Sequence, residues 1–114
     1  MTDPIDASRP SEPDEVLTIS GFQGWIRERY FATDSDRGTP ATFLWFIEEV
    51  GELATALHEA AGPGAGEAAQ AALGAEFADV LAWLCTLANI NGVDLADAVR
   101  RKYLHDGGPA GTKG

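Results

Sequence analysis

The stretch AAQAALGAEFADVLAWLCTLANI, Ala68–Ile90, carries only two charged residues, Glu76 and Asp79. A helix this apolar on every side is normally buried. Carboxylates are almost never fully buried unless they are paired or bound to a metal. Glu76 and Asp79 stand three apart and share one helical face. The segment therefore needs both a covering and a partner for its two acids. Its length alone would suit a membrane span, but two central carboxylates and a capped, polar hairpin partner argue against one.

Working outward, the flanks are punctuated for helices and no alternating strand pattern competes. Asn91-Gly92 ends the apolar helix, which opens near Glu67. Upstream, Thr39-Pro40 reads as an N-cap followed by proline in the first turn, and Gly62-Pro63 stops that helix after Ala61. Ser20 with Gln23 reads as a capping box that opens a first helix over GFQGWIRERYF, and TDSDRG reads as a polar loop. Asp94 caps a fourth helix, LADAVRRKYLHD, closed by Gly107-Gly108. Four helices joined by short loops predict an all-α four-helix bundle over residues 17–106. Residues 1–16 and 107–114 read as flexible tails, and residues 1–16 lack the apolar run of a signal peptide.

The second and third helices carry matched stripes. Trp45, Glu49, Glu52 and Ala56 follow the same steps as Ala72, Glu76, Asp79 and Trp83. An antiparallel hairpin centred on Gly64 pairs positions whose numbers sum to about 128. Glu49 then faces Asp79, Glu52 faces Glu76, and Trp45 faces Trp83. Glutamates on a helix are usually a solvated face, yet here they meet a second acidic pair on an apolar helix. Four carboxylates this close cannot all stay ionised uncompensated. Either some are protonated or a divalent cation neutralises them, and hard oxygen donors suit Mg²⁺ or Mn²⁺. A ferritin-like di-iron site needs Glu-x-x-His pairs, and neither His58 nor His105 follows a glutamate by three.

Composition narrows the function. A chain of 114 residues is expected to be one domain with a small core. A net charge of −10 argues against a nucleic-acid surface, which needs a basic stripe. An acidic protein still binds a phosphate ester when metal ions supply the positive charge. The single cysteine, Cys85, cannot form an internal disulfide, reads as a small buried hydrophobe, and fits the cytoplasm.

The EEVGEL segment with the later EFAD resembles the E-E-x-x-E … E-x-x-D signature of the all-α nucleoside triphosphate pyrophosphohydrolases. That superfamily includes MazG, the dCTP pyrophosphatases, the dimeric dUTPases and phosphoribosyl-ATP pyrophosphatase. ANINGVDLADAVRRKY also resembles the MazG-like continuation, and the similarity runs from Ile19 to Asp106. The resemblance implies a MazG-like bundle and Mg²⁺-dependent hydrolysis of a (d)NTP to the monophosphate and pyrophosphate, in a house-cleaning role. It makes Glu49, Glu52, Glu76 and Asp79 metal ligands. Glu48 matches the first glutamate of the motif, as a support, as an orienter of the attacking water, or as a structural residue. Gly51 lowers helix stability and either allows a close approach or simply packs. Lys102 matches a phosphate-contacting lysine, although with Arg100 and Arg101 it also complements a helix dipole. Four residues later the family often has asparagine; here Asp106 stands at that substrate contact or at a fraying end. Trp83 falls where relatives carry an aromatic, and Trp45, Trp83 and Trp25 are candidates to stack on a base, or are core. The apolar third helix predicts a bundle completed by oligomerisation, as a homodimer or homotetramer. A phosphoribosyl-ATP pyrophosphatase and a non-catalytic helical regulatory module remain alternatives.

Overall fold

The structure, a computed structural model, describes residues 17–105. Both expected tails, and Asp106, lie outside the described residues. Those described are helical throughout apart from short connections: α1 (Ile19–Arg37), α2 (Thr39–Ala60), α3 (Glu67–Ile90) and α4 (Leu95–Val99), the last continued by a π-helical turn over Arg100–Leu104. The all-α expectation holds.

α3 is the centre of the bundle, packed along α2 on one side and α1 on the other. The hairpin turns over Ala61–Gly66, where Gly64 takes a positive φ of 78° that side chains disfavour. The hairpin register is the one that the sequence stripes predict: Trp45 and Trp83 meet edge to face, with centroids 5.4 Å apart at 81°. At the far end Asn91 Nδ2 donates to Thr39 Oγ1 at 3.1 Å, tying the close of α3 to the start of α2.

α1 differs most from the sequence reading. Its N-cap is Thr18, whose hydroxyl accepts from the Gly21 amide at 2.8 Å, rather than Ser20. Gln23 closes no capping box. Its side chain donates to Asn89 Oδ1 (3.0 Å) and to the Val93 carbonyl (2.7 Å), and accepts from the Leu95 amide (2.9 Å). One glutamine thus clamps α1 to the end of α3 and the start of α4. TDSDRG is not a loop: α1 runs on to Arg37, held by the Asp34–Arg37 ion pair one turn apart. Gly38 breaks the chain at φ 84° and itself serves as the N-cap of α2, one residue before the expected Thr39.

The buried apolar set is small: Ile26, Ala56, Cys85 and Ala88. Burial also raises the Cys85 thiol pKa. Large side chains on the outer faces of α2 and α3, among them Leu44, Ile47, Phe77, Leu81 and Leu84, stay substantially exposed. By length and composition α3 is also apolar enough to cross a membrane. Within this bundle, α1 and α2 flank it.

Candidate metal centre

The antiparallel register sets the acidic stripes of α2 and α3 against each other. Glu49, Glu76 and Asp79 each offer a carboxylate oxygen, all within 4.8 Å of one another. Glu49 and Glu76 are half-buried and Asp79 is exposed. One oxygen of each glutamate, Glu49 Oε1 and Glu76 Oε1, is buried with no hydrogen-bond partner among the described residues. Such atoms cost free energy unless something else satisfies them.

Burial is the main cause that raises the pKa of Glu49, followed by the charges of Glu52, Asp79, Glu76 and Glu48. Glu76 is raised by burial first, then by Glu52 and Asp79. Glu52 itself is exposed and stands outside the close trio, although its charge acts on both glutamates. Glu48 is exposed too, round the helix from Glu49. Oxygen donors with two orphaned lone-pair sites, on helices pinned by packing, fit a hard divalent cation. Carboxylates alone, with no imidazole or thiolate nearby, favour Mg²⁺ or Mn²⁺ over softer metals.

The aromatic candidates divide. Trp83 and Trp25 line a cavity of about 450 Å³ between α1 and α3 that reaches Asp79. Trp25 stacks on Phe22 with centroids 6.1 Å apart, and the Arg29 guanidinium lies 3.8 Å from its ring. Trp45 is not a wall of that cavity; it braces Trp83 from behind. The Arg37 guanidinium lies 5.0 Å from the Trp45 ring and 5.2 Å from Trp83. Lys102 sits exposed on the π-helical turn, its ammonium 5.9 Å from the Tyr103 ring. Among the described residues it forms no ion pair with the carboxylates. Gly51 faces open space, since an added Cβ would meet nothing within 4 Å.

Sequence reasoning missed Asp34, Tyr30 and Arg37, all walls of the cavity. The readable signal was the acid–base pair Asp34 and Arg37 at helical spacing just before a glycine.

Fold and site together define an all-α protein that carries an acidic cluster on its central hairpin. Residues 38–103, more than half of the chain, match the MazG nucleotide pyrophosphohydrolase domain, and the chain belongs to that family. Its members generally hydrolyse nucleotide phosphoanhydrides. No curated protein matches the sequence.

Proposed function

We propose that the protein is a Mg²⁺-dependent nucleoside triphosphate pyrophosphohydrolase that converts a (d)NTP to the (d)NMP and pyrophosphate, clearing nucleotides from the cytoplasmic pool. The observation that carries this is the convergence of Glu49, Glu76 and Asp79, with two buried unpartnered oxygens, in a MazG family chain.

Glu49, Glu76 and Asp79 would hold the cation, with Glu52 completing the set from the exposed side. Bound there, a divalent cation would supply charge to polarise the phosphate and lower the pKa of water. The water oxygen bonds to phosphorus, the bond to the pyrophosphate oxygen breaks, and a carboxylate of the cluster takes the water's proton. Glu48 orients that water from its exposed position. By the family resemblance, Lys102 contacts the substrate's phosphates, and Asp106, outside the described residues, stands at a phosphate or sugar contact. The base lies against Trp25 and Trp83, with Trp45 fixing the Trp83 ring.

The test is pyrophosphate release from a panel of NTPs and dNTPs, with Mg²⁺ and with EDTA. Metal-dependent release is expected. If no triphosphate is hydrolysed but phosphoribosyl-ATP is, the enzyme is the biosynthetic one. If neither is hydrolysed and Mg²⁺ does not raise the melting temperature, the chain is a non-catalytic module.

A further inference from the structure

The cavity between α1 and α3 contains an unanswered polar group. Asp34 is only 4% exposed. Its Oδ1 accepts from Arg37 Nη2 at 2.5 Å, while its Oδ2 is buried with no partner among the described residues. Neither atom is free to turn away. Arg37 is anchored by its Nε, which donates to Thr42 Oγ1 at 2.9 Å. That hydroxyl in turn donates to the Gly38 carbonyl at 2.6 Å. The guanidinium is flanked by the Trp45 and Trp83 rings. A fixed acceptor therefore lies in the wall of a cavity whose other walls include Trp25 and Trp83 and which opens to Asp79 of the acidic cluster. Its volume, about 450 Å³, falls within the ~300–1,000 Å³ typical of small-molecule sites. All of α1 precedes residue 38, where the family match begins.

We infer that Asp34 and Arg37 read the edge of the substrate base and select bases bearing an amino group, the 4-aminopyrimidine or 6-aminopurine pattern of cytosine or adenine. The inference rests on the pyrophosphohydrolase reading above. Asp34 Oδ2 accepts from the exocyclic amine. Arg37 has five N–H donors, of which the two bonds above use two, and an uncommitted one meets the adjacent ring nitrogen. With the base held in that register, uracil, thymine, hypoxanthine and guanine put a carbonyl oxygen against the carboxylate oxygen and a ring N–H against the Arg37 donor, and so are disfavoured.

Two measurements test this. The first is binding of dCMP, dUMP, dAMP and dIMP to the Mg²⁺-loaded full chain by calorimetry, which needs no turnover. The second is kcat/KM for dCTP against dUTP and for dATP against dITP. The amino member of at least one pair is expected to be favoured roughly tenfold or more, as one unpaired buried polar group commands. Which pair shows the larger ratio distinguishes cytosine from adenine. In Asp34→Asn the amide can present an N–H at the same point, so the ratio falls towards one or inverts. Equal binding of both members of both pairs by the wild-type chain overturns the inference, whether or not the variant folds. Amino-selective binding that Asp34→Asn abolishes, without release of pyrophosphate from any triphosphate, upholds the base reader and sinks the enzyme reading alone.

Discussion

On the proposed function, Glu49 and Glu76 are the residues at which the chemistry and the stability of this protein would be linked. Each has a folded pKa above the ordinary 4.5, chiefly through burial and then through neighbouring carboxylate charge. The native state therefore holds these protons more tightly than the unfolded chain does. Stability is then greatest below the ordinary value, falls as pH rises from 4.5 through the raised values, and stays lower above them. Without metal, the melting temperature should be higher near pH 5 than near pH 8. Adding Mg²⁺ should recover the loss at pH 8 and do little at pH 5, where protons compete for the same oxygens. Glu49→Gln should flatten the metal-free profile between these pH values and raise the melting temperature at pH 8. A metal-free profile that rises with pH would mean that the two glutamates are not under electrostatic strain. The catalytic consequence runs the other way: Glu49→Gln and Asp79→Asn should each reduce metal-dependent pyrophosphate release by at least about 100-fold, since even indirect partners of a metal are worth 10–100-fold. Far-UV circular dichroism should show both variants still helical, and full activity in both would remove these residues from the site.

At the scale of elements, α2 carries a glycine that its own chain does not need. Gly51 lies mid-helix, and an alanine Cβ there would touch nothing within 4 Å. Glycine in a helix interior costs about 1 kcal/mol relative to alanine. Gly51→Ala should accordingly raise the unfolding free energy by roughly that amount in urea titration; a loss instead would show that a second copy or the substrate meets the backbone there. The α2–α3 hairpin was legible in the sequence because its signals are local: Thr39-Pro40, Gly62-Pro63 and two stripes of identical step. The Trp45–Trp83 contact followed from that register alone. α1 was less legible, because the exposed end of a helix has the same polar composition as a loop, and TDSDRG fits both. What made it helical is the Asp34–Arg37 pair and its anchor on Thr42, a contact across the α1–α2 junction. Gln23 imitates a capping residue by spacing, while its bonds reach residues about seventy positions away. No side-chain contact explains why α4 widens to a π-helical turn at Arg100.

For the whole molecule, the balance of apolar surface lies on the exposed side. Four apolar residues are buried among those described, whereas Phe77 is 52% exposed, Leu81 48% and Leu84 41%, on one side of the central helix. Glu76 and Asp79 point towards α2 and the cavity, which leaves Phe77, Leu81 and Leu84 as an apolar stretch on the opposite face of α3. Monomers rarely leave contiguous apolar patches of this kind uncovered, and a second copy of this chain supplies a matching patch by symmetry. Sedimentation at micromolar concentration should therefore find a dimer or tetramer. Each large side chain covered contributes about 1.5–3 kcal/mol, so Leu81→Glu should weaken assembly by at least about 100-fold in dissociation constant. Because Leu81 stands on the face turned away from the carboxylates, the variant should keep the Mg²⁺-dependent rise in melting temperature even as it becomes monomeric. A wild-type chain that stays monomeric in sedimentation would mean that this face is covered by something other than a second copy.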